Sequence, residues 1–105
     1  MSFKPFYIYR NNPRRHTDSG AVKRMPRGFT AKIEPSQEKH KVLVSISFCS
    51  YKDEFVKKKG REIVDLLPGQ LVNARDVAKV LSDAQDRCGW SGGEYFFLYV
   101  LKFML

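Results

Sequence analysis

The sequence predicts an α+β fold: a single two-layer domain in which about four strands form a mostly antiparallel sheet packed by two helices. Three observations predict it. Apolar and polar residues alternate in the first half of the chain, capped helical patterns occupy the middle, and an apolar run follows. With 105 residues, 43% of them hydrophobic, the chain can bury a core without a metal or disulfide. The predicted order is β-ββ-α-α-β over residues 1–105.

Three strands are predicted in the first half of the chain. Residues 6–10 are aromatic and β-branched at a density that favours a strand over a loop. Residues 29–34 alternate apolar and polar side chains, which is typical of a strand with one buried face. Residues 41–49 continue the alternation as the partner strand of a hairpin. We expect Ser45 and Ser47, on the polar side of that strand, to meet solvent or a ligand.

The first helix is predicted to begin at Ser50, because Ser50 and Asp53 fit the capping-box pattern. Apolar residues at helical spacing then form one stripe, and a glycine within it indicates that the helix backbone approaches the sheet closely. The stripe consists of Val56, Gly60, Ile63 and Leu67. Pro68 and Gly69 end this helix.

A second helix is predicted after Asn73, which together with Asp76 supplies another N-terminal cap. Its buried face at helical spacing comprises Val77, Leu81, Ala84 and Cys88. Gly89 follows at the position where a left-handed residue ends many helices.

The last predicted strand covers residues 95–105. Its apolar residues occupy both faces of a strand pattern, which is typical of a strand in the middle of a sheet. If this strand is central, the earlier strands pair around it and the helices cover at least one face, which leaves the other face for function.

Positive charge is concentrated in the first half of the chain. The net charge is +8, and residues 1–50 carry ten basic and three acidic side chains, whereas residues 51–105 carry nine and eight. Six of the basic residues lie between Arg10 and Arg27, against the single acid Asp18. We expect residues 11–28 to form a mobile basic loop that either binds an anionic partner or only keeps the chain in solution.

A second basic group lies on the first predicted helix, where helical spacing places Lys57 and Lys58 beside Arg61. An ordinary solvated helix face would pair the two lysines with Asp53 and Glu54, four residues earlier. The candidate residues for binding nucleic acid or another anionic partner are Arg10, Arg14, Arg15, Lys23, Arg24, Arg27, Lys57, Lys58 and Arg61.

Aromatic residues near this charge could stack on bases, since stacking on aromatic rings tolerates any base sequence. The alternative is that they pack in the core, which is the commoner role of aromatic residues in a small domain. The candidate stacking residues are Tyr7, Tyr9, Phe29 and Tyr51.

Catalytic and metal-binding patterns are not found in the sequence. Cys49 lies between a predicted strand and a predicted helix, where a thiol pKa can fall, but no arginine follows at the spacing of a phosphatase loop. The histidines, at positions 16 and 40, and the cysteines, at positions 49 and 88, lack the close spacing of metal ligands. We therefore expect a buried, structural Cys49, no enzymatic activity, no cofactor and no metal.

Residues 49–61, which read C-S-Y-K-D-E-F-V-K-K-K-G-R, resemble the C-S-x-K-D-x-F-x-K-K-x-G-R segment of small uncharacterised proteins of tailed bacteriophages. The resemblance implies a viral protein in the cytoplasm of a bacterial host. Small basic proteins of that kind either bind nucleic acid or take over a host protein.

Two functions therefore remain open for a small basic protein of this kind. The first is the binding of DNA or RNA through the basic loop and helix face. The alternative is an inhibitor or adaptor that docks on an acidic host protein. The sequence has no signal-peptide pattern and no apolar run long enough to span a bilayer, so we expect a cytoplasmic protein without a membrane partner. The unpaired edge strands of such a sheet leave both a monomer and a homodimer open.

Overall fold

The computed structural model describes residues 3–11, 25–90, 93 and 95–105. Four antiparallel strands form one sheet in the order β1-β2-β3-β4, so the predicted α+β class with a four-stranded sheet is confirmed. The strands are β1 (Phe6–Asn11), β2 (Gly28–Pro35), β3 (Lys41–Cys49) and β4 (Gln70–Asn73). The helices are α1 (Lys57–Leu66), α2 (Val77–Arg87) and α3 (Leu101–Met104), with 3-10 segments at Ala74–Asp76 and Tyr95–Val100.

The apolar face of the sheet is set by the alternation that predicted the strands. The register places Ile8 opposite Ala31 and Ala31 opposite Ile46, so every second residue of three strands shares one face. Helix α2 and the segment 95–104 cover this face. The core beneath them contains Phe29, Ile33, Val42, Leu81, Phe97, Val100 and Met104.

Helix α2 has the buried face that its sequence predicts. Val77, Leu81, Ala84 and Cys88 are all buried in the same core. Gly89 follows with a φ of 89°, the left-handed conformation expected at the end of a helix.

Helix α1 covers the opposite, polar face of the sheet. Gly60 lies against the side chain of Thr30, where a Cβ atom would overlap the threonine hydroxyl, so the predicted close approach of Gly60 is confirmed. Since α1 and α2 lie on opposite faces, the domain has three layers instead of two. Ser45 is therefore buried, at 4% exposure. It does not face solvent, which was one of the two environments predicted for it.

The first helix begins at Lys57, not at Ser50 as predicted. The Ser50 oxygens accept from the backbone amides of Lys52 and Asp53, which closes a turn instead of starting a helix. Val56 is extended, with a φ of −123°. Within α1 the buried residue is Val64, whereas most of the predicted stripe is partly exposed.

The prediction of a central strand at residues 95–105 is wrong, because this segment is helical. Its buried residues are Phe97, Val100 and Met104, at steps of three and four. A continuous apolar run does not distinguish a strand from a partly buried helix, and here the central positions of the sheet are filled by β2 and β3. The fourth strand is β4, which pairs with β3 from Lys41↔Asn73 to Val44↔Gln70.

Candidate functional site

Two tyrosines of β1 and two cations of α1 form one surface on the polar side of the sheet. The rings of Tyr7 and Tyr9 lie nearly parallel, with centroids 6.3 Å apart and an interplanar angle of 16°. The Arg61 guanidinium carbon lies 4.5 Å from the Tyr7 centroid, and Lys57 Nζ lies 5.3 Å from the Tyr9 centroid. We call these four residues the cation–tyrosine face.

Strand and helix periodicity together explain this pairing. Residues two apart on a strand project from the same side, about 7 Å from each other. Residues four apart on a helix share a face and are separated by about one turn, roughly 5 to 6 Å. Tyr7 and Tyr9 therefore match the spacing of Arg61 and Lys57, and α1 runs antiparallel to β1.

Asp65 attaches the last turn of α1 to two strands. Its Oδ1 accepts the Tyr7 hydroxyl at 2.5 Å and lies 3.1 Å from Lys32 Nζ. Lys32 also lies 3.4 Å from Glu34. The hydrogen bond from Tyr7, followed by that from Lys32, lowers the pKa of the Asp65 carboxyl. The same carboxylate raises the pKa of Tyr7 and of Lys32.

Among the described residues, no cation of α1 lies within ion-pair distance of a carboxylate. Lys32 is the one lysine or arginine in that part of the chain with a carboxylate oxygen within ion-pair distance. The pairs of Asp53 with Lys57 and Glu54 with Lys58 expected for a solvated helix do not form. The reason is that Asp53 and Glu54 precede the helix and so are not one turn away from the lysines.

The predicted basic loop is described only at its ends. Arg14, Arg15, Lys23 and Arg24 lie outside the described residues. Arg27 Nη2 donates to the backbone oxygen of Tyr51 at 3.4 Å. This bond places Arg27 beside the turn after β3.

Arg10, predicted as a contact for an anionic partner, packs on the side of the sheet opposite to the cation–tyrosine face. Arg10 alternates with Tyr9 and so points to the apolar side of the sheet. Its Nε donates to Gln85 Oε1 at 3.0 Å. The guanidinium carbon lies 4.9 Å from the Trp90 ring centroid and 4.4 Å from that of Phe96. Arg10 is thus held by α2 and the 95–104 segment.

The four candidate stacking residues divide into two groups. Phe29 is fully buried against Phe48 and Phe97, so its prediction as a stacking residue is wrong. It shares the inward side of β2 with Ala31, a pattern already visible in the sequence. Tyr51 is exposed, with Lys52 Nζ 5.7 Å from its ring centroid. Tyr7 and Tyr9 are half-buried and belong to the cation–tyrosine face.

A cavity of about 230 Å³ lies between the end of β3 and the first turn of α1. Its polar lining includes one cation and two carboxylates, and consists of Thr30, Ser47, Cys49, Ser50, Asp53, Glu54 and Lys59. Cys49 is half-buried, not buried as predicted. Its sulfur lies 3.6 to 3.7 Å from backbone oxygens of the following turn. Within the described ranges, no group of three His, Cys, Asp or Glu residues could hold a metal ion.

Comparison of the chain with protein-family models, with curated proteins and with solved structures finds no match. The bacteriophage relationship suggested by residues 49–61 stays a prediction. In the part of the chain that the structure describes, no helix has the length and apolar character needed to cross a membrane.

Proposed function

We propose that this protein binds nucleic acid through the cation–tyrosine face. The observation that carries the proposal is that Lys57 and Arg61 lie over parallel tyrosine rings with no carboxylate within ion-pair distance in the described residues. Cations that are not held in a close ion pair can neutralise phosphates, and adjacent rings can stack on bases. Lys58, which is exposed on the same helix, adds a further cation.

The residues of the face and the neighbouring Lys58 have separate tasks in this proposal. Lys57, Lys58 and Arg61 contact phosphates, which gives affinity without base specificity. Tyr7 and Tyr9 stack on bases, a contribution worth about 1 to 3 kcal/mol per base. The predicted loop cations Arg14, Arg15, Lys23 and Arg24 would add phosphate contacts from the end of β1.

The test is an anisotropy titration with mixed-sequence DNA and RNA oligonucleotides at two salt concentrations. Neutralising both face cations in K57Q/R61Q should weaken binding about tenfold for every sequence. It should also reduce the salt slope on single strands by about 1.4, since each phosphate contact contributes about 0.7.

The matched control is R75Q/K79Q, which removes an exposed arginine and lysine at the same spacing from the other side of the domain. This control should reduce affinity less than the face variant does. Equal losses in the two double variants would show that net charge alone governs binding. If neither DNA nor RNA binds at low salt, the proposed function is excluded.

A further inference from the structure

Strand β1 lies at an edge of the sheet, so one side of its backbone is not paired. It pairs with β2 through all six of its residues. Within the described residues, its backbone makes no hydrogen bond outside that ladder. An edge strand of this kind presents a row of N–H and C=O groups that can pair with another strand.

A row of exposed aromatic side chains runs beside β1 on the apolar side of the sheet. Phe96, Tyr99 and Phe103 make successive edge-to-face contacts, with centroids 6.1 and 6.2 Å apart. They are 51%, 42% and 55% exposed. Phe103 contacts Phe6 at 5.3 Å, and Phe96 contacts the Arg10 guanidinium, so this aromatic row is antiparallel to β1 and spans its length.

The other side of the same edge is cationic. Arg61 lies over Tyr7, and Lys57 lies over Tyr9. These two tyrosines are the residues of β1 that point to the polar side of the sheet. The edge of β1 is therefore flanked by the aromatic row on one face of the sheet and by two cations on the other.

We propose that β1 accepts an additional strand from another protein, in which acidic residues alternate with apolar residues. Successive side chains of an added strand point to opposite faces. In one register its apolar residues pack on the aromatic row, while its acidic residues meet Lys57 and Arg61. The backbone of β1 supplies the hydrogen bonds. This site goes beyond nucleic-acid binding, which requires neither the β1 backbone nor the aromatic row.

Charge favours an acidic partner strand over a second copy of this chain. Pairing β1 with β1 of another copy would place two sets of Lys57 and Arg61 on the same face of a continuous sheet. Bringing like charges together across an interface is destabilising, whereas opposite charges favour association. The surface also fits the predicted alternative of docking on an acidic protein, and it requires that the docked segment is an extended strand.

The probe is a fluorescent peptide with a six-residue core, the length of β1, in which Glu and Val alternate. Three control peptides have the same length. One groups the valines and glutamates in two blocks, one replaces Glu by Lys, and one carries N-methyl groups on alternate residues. We expect the alternating acidic peptide to bind at least about tenfold more tightly than each control. Amide hydrogen exchange of residues 6–11 should slow in its complex.

Two pairs of variants test the flanking side chains. K57E/R61E should lose about tenfold in affinity for the acidic peptide and bind the lysine peptide better than the parent chain does. Y99S should weaken binding through loss of the aromatic row. Its control Y95S removes the same ring from a residue that is 88% exposed and outside that row, and binding should be unchanged.

Three results would overturn the proposal. They are equal affinity for the alternating and block peptides, unchanged exchange of the β1 amides in the complex, and self-association of the free chain through β1 in sedimentation. A chain that binds oligonucleotides but fails these peptide tests would lose this inference and keep the proposed function.

Discussion

Asp65 holds together the residues that shape the cation–tyrosine face. A single carboxylate oxygen connects α1 to Tyr7 on β1 and to Lys32 on β2. By engaging Asp65, Lys32 and Tyr7 leave Arg61 without a carboxylate at ion-pair distance among the described residues. Asp65 therefore positions the aromatic ring, while its attraction to Arg61 acts from beyond ion-pair distance.

The pKa shifts around Asp65 predict a pH window for its contribution to stability. Its own lowered pKa means that this contribution is present above about pH 4 and is lost as the pH falls through the folded-state value. The raised pKa values of Tyr7 and Lys32 mean that it is present below about pH 10 and is lost as the pH rises further. D65N should therefore lower the free energy of unfolding near neutral pH, with the difference shrinking at both extremes.

Denaturant unfolding across the pH range measures this difference. D83N is the matched control, because Asp83 is exposed on α2 and has no ion pair among the described residues. The free energy of unfolding of D83N should differ little from that of the parent at every pH. A difference between D65N and the parent that is constant from acid to alkali would contradict the assigned bonds.

Gly60 is the second residue with a specific consequence. An added Cβ would overlap the Thr30 side chain, which is itself buried. G60A gains about 1 kcal/mol of helix propensity but should be destabilised overall by about 1 to 2 kcal/mol, because overpacking a tight contact costs more.

The double variant G60A/T30A separates propensity from crowding. It should lose less stability than the two single changes combined, because alanine removes the threonine hydroxyl that the new methyl group meets. Thermal unfolding of the four proteins measures this coupling, and strictly additive losses would exclude the contact as the cause.

At the scale of elements, local pattern predicted β2, β3 and α2 because each has a periodicity of its own, and β1 because aromatic and β-branched residues are dense there. Strand β4 has four residues, too few to show an alternation. The start of α1 was misplaced because Ser50 can close a turn as well as cap a helix.

The functional surface could be predicted from the sequence only in part. Tyr7, Tyr9, Lys57 and Arg61 are recognisable as aromatic and basic residues. These four residues come together only because α1 packs against the polar face of the sheet. The strand pattern does not predict that a helix covers that face. Arg10 and Phe29, in contrast, share strand positions with inward residues, and that alternation could have placed both on the apolar side of the sheet.

Helical geometry at residues 95–100 predicts a difference between two neighbouring aromatic positions. In a strand, Tyr95 and Phe97 would share one face, and alanine at either position would have similar effects. In the structure Phe97 is fully buried and Tyr95 is 88% exposed. F97A should cost about 3 to 5 kcal/mol, while Y95A should stay within about 0.5 kcal/mol of the parent. Equal losses, measured by denaturant unfolding, would contradict the helical segment.

Across the whole molecule, the two proposed ligands depend on the same cations but on different neighbours. Nucleic acid requires Tyr7 and Tyr9 beside Lys57 and Arg61, whereas an added strand requires those cations, the edge of β1 and the aromatic row. Because both ligands approach the same side of α1, we expect them to exclude each other. The alternating acidic peptide should displace a labelled oligonucleotide from the parent chain in a competition titration.

The variant Y99S tests whether the aromatic row takes part in this competition. It leaves the cation–tyrosine face intact, so oligonucleotide affinity should match that of the parent, while more peptide should be needed for displacement because the aromatic row is interrupted. The block peptide has the same charge and should displace the oligonucleotide less effectively than the alternating one. Formation of a ternary complex in sedimentation would show that the two ligands occupy separate surfaces.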